Sequence, residues 1–116
     1  VNTENAFFSL LFLIGSIFTI VGMITYIFPP KKINSLYGYR TNSSMKTQER
    51  WDFAQAYSTK LMILLGVTLA VLSCLGLFVS ISETVDYLSG MGLLIAGIVL
   101  LFYKTEKAIK TKFPKN

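Results

Sequence analysis

Uncharged, mostly apolar positions run from Ala6 to Phe28, from Leu61 to Ser82 and from Tyr87 to Tyr103, blocks of 23, 22 and 17 residues. At about 1.5 Å of rise per residue, helices over these blocks extend roughly 34, 33 and 25 Å, against a hydrocarbon core of about 30 Å. The pattern predicts three membrane-spanning helices, at about 6–28, 61–82 and 87–103. The third is short, and Tyr87 and Tyr103 at the two interfaces with a snorkelling Lys104 can absorb the deficit. The first block carries Glu4 where a signal peptide has a basic region, exceeds the usual apolar length and lacks a small-residue cleavage site, so it reads as a retained helix.

The charges then set the expected orientation. All eleven Lys and Arg fall between Pro29 and Lys60 or from Lys104 onward. Three alternating helices put those two segments on one side, with Glu49, Asp52 and Glu106, for a net +8. The other side holds Glu4, Glu83 and Asp86, net −3. Short basic loops stay in the cytoplasm, so the expectation is a multi-pass protein of the bacterial cytoplasmic (inner) membrane. Its N-terminus lies outside, and its motif loop (29–60) and basic tail (104–116) lie inside. Anionic headgroups are the expected partners of these cations. Nucleic acid is not, because the basic residues flank spans instead of forming a soluble face interleaved with stacking aromatics.

Composition narrows the chemistry further. Hydrophobic residues make up 53% of the 116 positions, and there is one Cys and no His. That leaves no disulfide, zinc cluster, Ser-His-Asp triad or Cys-His dyad, so no catalytic residue, metal site or cofactor is assigned. Glu49 and Asp52, at i and i+3, are a carboxylate pair able to divide acid and base roles, but exposed helices carry such pairs routinely. The chain reads as a non-enzyme. No Asp, Glu, Lys, Arg or His lies inside the three blocks, which argues against a proton-coupled transporter. Thr19, Thr25, Thr68, Ser73 and Cys74 read as groups that bond back to their own helices.

Small residues mark expected contact faces, because helices in lipid associate through close backbone approach. Gly15, Thr19 and Gly22 share a stripe of the first helix. Gly66, Ala70 and Cys74 recur on the second, and Gly92 and Ala96 on the third. Packing within a three-helix bundle and a seam between subunits are both consistent with that spacing. The expected fold is therefore all-α, an integral membrane three-helix bundle with a folded cytoplasmic loop.

That loop, about 32 residues long, exceeds the usual helix connection of about 2–8 residues. Pro29 and Pro30 stop the first helix. Asn34 to Thr41 is turn-like, with Gly38 able to take a positive φ between two aromatics. Thr47 is a plausible N-cap for a short amphipathic helix over Gln48–Thr59, with Glu49 in its first turn. Trp51, Ala54 and Ser58 share one stripe of it, and the helix either lies along the headgroups or runs on into the second span. Tyr37, Tyr39, Trp51 and Tyr57 suit interfacial anchoring. Arg40 can clamp Glu49 or Asp52 in a bidentate pair, or, with Lys46 and Arg50, grip lipid phosphates or a partner's acidic surface. The tail reads as a fraying extension of the third helix near the headgroups.

The order Pro30-Lys31-Lys32-Ile33-Asn34, Tyr37-Gly38-Tyr39-Arg40-Thr41, Ser44-Met45-Lys46, Glu49, Trp51, Ala54 and Tyr57 resembles the SdpI family of small bacterial membrane proteins over about 28 residues. The resemblance is to the short, single-module form. It implies a role in immunity to a secreted membrane-active peptide toxin, or in signalling by retention of a repressor protein, with these loop residues as the functional motif. A second expectation, from the small mass outside the spans, is an accessory subunit stabilising a larger membrane complex.

Overall fold

The computed structural model describes residues 1–115, and among them every regular element is a helix. α1 spans Ala6–Ile27, α2 Gln48–Ser73, α3 Leu75–Phe78 and α4 Glu83–Lys112. α1, α2 and α4 are long and apolar enough to cross a membrane, and the molecule is a multi-pass membrane protein. Its long dimension of 49 Å matches a bilayer with its headgroup layers, about 40–45 Å.

Each long helix starts on a side-chain cap that satisfies an otherwise orphaned N–H. Asn5 accepts from the Phe8 amide, Thr47 from Arg50 and Ser82 from Val85. At the α4 start Asp86 is buried. Its carboxylate accepts from Asn5 Nδ2 at 3.0 Å, from the Ser80 hydroxyl at 2.7 Å and from the Ile81 amide at 3.2 Å. One acid thereby ties the beginnings of α1 and α4 at the acidic end of the bundle.

α2 decides between the two courses open to the amphipathic segment, which runs on into the second span instead of lying apart along the headgroups. Gln48–Lys60 are the first turns of α2 itself, so the irregular loop shortens to residues 28–47. No Gly or Pro interrupts Gln48–Leu65, and nothing in that stretch halts the hydrogen-bond ladder at the polar–apolar boundary. The second apolar block is itself divided, since α2 ends at Ser73 and the one-turn α3 follows Cys74. α4 likewise continues well past Tyr103, with Lys110 and Lys112 in its last turn, where cations suit the helix dipole.

α1 packs on α2 at backbone distance. A Cβ on Gly15 would stand 2.7 Å from the Gly66 carbonyl oxygen and 2.8 Å from the Ala70 nitrogen, and one on Gly66 would stand 2.6 Å from the Thr19 nitrogen. Gly22 faces Ile63, whose Cγ1 would stand 2.6 Å and whose backbone nitrogen 3.2 Å from a Cβ there. Thr25 and Thr59 share a hydrogen bond of 3.1 Å across this contact. Thr19, Thr25, Thr68, Ser73 and Cys74 all bond back to carbonyls three or four residues earlier.

On α4 the expected contact face is displaced. Gly92 has nothing within 4 Å of a built Cβ, and Ala96 is exposed. The buried glycines are Gly90 and Gly97, on the stripe that continues through Leu101, Thr105 and Ile109. Small residues occur on both faces of this helix, so four-residue spacing alone does not select the packed one. Large apolar side chains such as Ile20, Leu64, Val71, Leu88 and Val99 point outward, as expected of helices whose solvent is lipid.

Candidate functional site

The motif residues gather at the basic end, where residues 28–47 fold back over the first turns of α2 and the last turns of α4. Pro30 begins the turnback, and its carbonyl accepts from the fully buried Trp51 indole N–H at 2.6 Å. Asn34 organises the next turn, its Oδ1 accepting from the amides of Leu36 and Tyr37 at 2.9 and 2.7 Å, an Asx turn. The Tyr37 hydroxyl donates to the Phe28 carbonyl, which closes the turn on the end of α1.

Gly38 has φ +106, and a Cβ there would stand 2.6 Å from Gln55 Oε1 and 2.7 Å from Pro30 Cγ. Both the backbone sign and the space require glycine. The close approach lets Gln55 act as a surrogate strand, accepting from the Tyr39 amide and donating to the Tyr39 carbonyl, each at 2.7 Å. Trp51, Ala54 and Ser58 form the buried stripe of α2 beneath this turn.

Glu106 is the hub of the site. Its Oε2 accepts from the Tyr39 hydroxyl at 2.6 Å and from Thr41 at 2.9 Å, and its Oε1 accepts from Ser43 at 2.5 Å. The residue lies beyond the apolar stretch of α4. Partial burial alone would raise its pKa, but the hydrogen bonds from Ser43, Tyr39 and Thr41 and the nearby Lys110 charge outweigh that and lower it. The Tyr39 phenol is pushed up, by burial first and then by its bond to the Glu106 carboxylate and that group's charge. At neutral pH the pair is a neutral phenol donating to an anion. Ser44, fully buried, accepts from the Thr41 amide and donates to the Tyr39 and Thr41 carbonyls, while the Met45 amide closes on Thr41.

Arg40 does not clamp Glu49 or Asp52. Its guanidinium donates to the Ser35 carbonyl on the exposed side of the loop. Glu49 is exposed in the first turn of α2, and Asp52 accepts from Gln48. Arg50 is buried, so it is not presented to lipid phosphates. It donates to the carbonyls of Phe113 and Lys115 at 3.1 and 2.8 Å and lies over the Phe113 ring. Lys46 is exposed on the loop and Met45 half-buried. Sequence reasoning missed Gln55 and Glu106. The available signal for Glu106 was its position as the lone acid in a lysine-rich segment.

The latched loop forms one wall of a cleft of about 480 Å³ that also draws on all three long helices. Tyr37, Tyr39 and Arg40 line its loop side, Phe18 and Val21 its α1 side and Phe102 its α4 side. The Tyr39 and Phe102 rings meet at 5.5 Å. Exposed Val21 and Ile98 are among its lining residues, so the cleft reaches the apolar flank of the bundle. An apolar interior beside a guanidinium suits an amphipathic ligand that enters from the bilayer.

No solved structure matches the chain. It is similar to the protein designated uncharacterized protein YfhL of Bacillus subtilis (strain 168), with 42% identity over 96 residues, 83% of this chain and 82% of YfhL. The SdpI/YfhL protein family model matches residues 31–104, which takes in the loop from Lys31 onward, α2, α3 and α4 as far as Lys104. With the loop motif, its helical platform and most of the chain covered by these two matches, the protein belongs to the SdpI/YfhL family.

Proposed function

We propose that this protein is a non-enzymatic immunity or signalling protein of the bacterial cytoplasmic membrane, which holds a membrane-active peptide in the loop-walled cleft. One observation carries the reading. The family motif residues Tyr37, Tyr39 and Arg40 wall a cleft that reaches the lipid-facing flank, while the same segment is latched to α4 through Glu106. A peptide entering sideways from the bilayer meets aromatic and apolar walls first and the guanidinium at headgroup depth, and its occupancy bears directly on the latch. The basic end faces the cytoplasm, so the loop is a readout surface for a repressor or another cytoplasmic protein.

Deleting the gene sensitises cells to the cognate membrane-active peptide. Wild-type protein restores protection, whereas Arg40→Ala, produced at equal membrane abundance, does not. Full rescue by Arg40→Ala, or unchanged sensitivity to a panel of membrane-active peptides on deletion, refutes the reading.

The accessory-subunit reading has its own observation. Gly92 and Ala96 form a small-residue strip on the outer face of α4, open to a backbone from another helix. Extraction in a mild detergent with a stoichiometric companion supports it, and a monodisperse single-chain particle removes it.

A further inference from the structure

A second groove lies on a different face of α4 from Glu106, between α2 and α4. Its floor is aromatic, made of Phe53, Tyr57 and Tyr103, and Lys104, Lys107 and Lys112 stand along it, enclosing about 500 Å³. The Phe53 and Tyr57 rings lie 5.9 Å apart. Two of the ammonium groups already rest on rings, Lys112 at 5.3 Å from the Phe53 centroid and Lys107 at 5.9 Å from Tyr103. The groove continues along α2 into an adjoining hollow of about 470 Å³, which shares Phe53 and Tyr57 and runs past Lys60 to Leu61 and Leu64. Neither lining contains a carboxylate.

The depth of these residues is as informative as their identity. Lys60 immediately precedes the second apolar block and Lys104 immediately follows the third, so both stand where a bilayer places its phosphates. Beneath them the groove turns wholly apolar. Its upper part sets lysines over aromatic faces with no carboxylate in the lining, and its lower part is an open apolar strip on one face of α2. That sequence of chemistries complements one class of molecule, with a phosphate above and an acyl chain below. A folded acidic protein matches the lysines but leaves the Leu61–Leu64 hollow unexplained.

We infer that the α2–α4 groove is a binding site for one anionic glycerophospholipid, its phosphate held by Lys104 and Lys107 with Lys60 and Lys112 flanking, and one acyl chain laid along Tyr57, Leu61 and Leu64. The site goes beyond the peptide-binding cleft and is independent of it. A bound lipid bridges α2 and α4 at the end where the loop is latched, so its occupancy braces the platform on which the motif sits.

The test uses the full chain purified in a mild detergent, delipidated, and titrated with phosphatidylglycerol or phosphatidylcholine while adducts are counted by native mass spectrometry. Wild type takes up one phosphatidylglycerol in preference to phosphatidylcholine. Lys104→Gln with Lys107→Gln weakens that adduct by roughly tenfold or more, as expected from the attraction of each lysine to an anionic headgroup. Lys31→Gln with Lys32→Gln removes the same net charge elsewhere and leaves it unchanged. Ala108→Trp fills the groove with every lysine retained and also abolishes the adduct. Equal losses from the two lysine pairs, equal uptake of the two lipids, or full binding by Ala108→Trp overturns the assignment. So does capture of a poly-glutamate peptide or a second copy of the chain by lipid-free protein that takes up no phosphatidylglycerol.

Discussion

The Tyr39 hydroxyl and the Glu106 carboxylate, 67 residues apart in the chain, meet over 2.6 Å. This bond, with those from Thr41 and Ser43 to the same carboxylate, converts a connection between two helices into a fixed wall against a third. Hydrogen bonds to a charged acceptor contribute more than neutral ones, typically about 1.5–3 kcal/mol. Glu106→Gln therefore costs about 2–3 kcal/mol, concentrated in the loop. Hydrogen–deuterium exchange over residues 35–45 rises sharply in this variant, while exchange within the α1–α2 contact stays as in wild type.

The same pair sets a pH dependence. A carboxyl whose folded pKa lies below its ordinary value contributes stability that is present above the ordinary value of about 4.3 and is lost as pH falls through the folded one. Glu106 is such a group. Tyr39 is the opposite case, with its raised phenol contributing below about pH 10 and losing that contribution as pH climbs through its folded value. Loop protection is thus flat from about pH 6 to pH 9 and falls in acid below about pH 4. The acid limb disappears in Glu106→Gln, and exchange corrected for its intrinsic pH dependence reads both outcomes.

Gly66 and Gly92 respond very unequally to the same change. At Gly66 a methyl group meets the Thr19 nitrogen and the Gly15 carbonyl, backbone atoms that move only if the helices separate, whereas at Gly92 it meets nothing. Gly66→Ala costs about 3 kcal/mol, the upper range for overpacking, and Gly92→Ala shifts stability of the isolated chain by less than about 0.5 kcal/mol. Loss of helical circular dichroism on titration with a denaturing detergent ranks them. In native membranes Gly92→Leu tests the subunit seam, since only an assembly through that strip is weakened by it.

Gly38→Ala combines an unfavourable positive φ with contacts to Gln55 and Pro30. The expected cost is about 1–3 kcal/mol, and the Gln55 bonds to Tyr39 are broken. The cleft wall shifts while the side chains of Tyr37, Tyr39 and Arg40 that line it are unchanged. Loop exchange rises and peptide protection falls in this variant, whereas Asn42→Ala, on the exposed side of the same loop, leaves both unchanged.

Sidedness is open to direct measurement. With Cys74 replaced by Ser, a cysteine introduced at Lys110 stays unlabelled by a membrane-impermeant maleimide in intact cells and becomes labelled after permeabilisation. One placed at Glu83 is labelled in both. The reverse pattern puts the motif loop outside.

The spans were legible because ionisable residues are so costly in hydrocarbon that their absence draws the helices directly. The Thr47 cap and the Trp51–Ala54–Ser58 stripe were legible for local reasons, since a cap and a helical repeat are set by neighbours a few residues away. What stayed hidden was long-range. Nothing near Glu106 in the sequence points to Tyr39, and an acid among lysines reads as ordinary helix-surface charge pairing. The α4 packing face was hidden for a different reason, because Gly90 and Gly97 compete with Gly92 and Ala96 and only the partner helix decides between them.

α2 carries both the backbone-to-backbone contact with α1 and, in unbroken continuation, Trp51 and Gln55, which hold the loop. It is a single stiff rod of about 39 Å, gripped at one end by lipid-embedded neighbours and at the other by the motif. Tilting such a rod by about 4° swings its far end by about 3 Å, comparable to the hydrogen bonds that secure Tyr39. Anything that alters bilayer thickness or wedges the helices apart is delivered to the loop as leverage, with no hinge in between to absorb it.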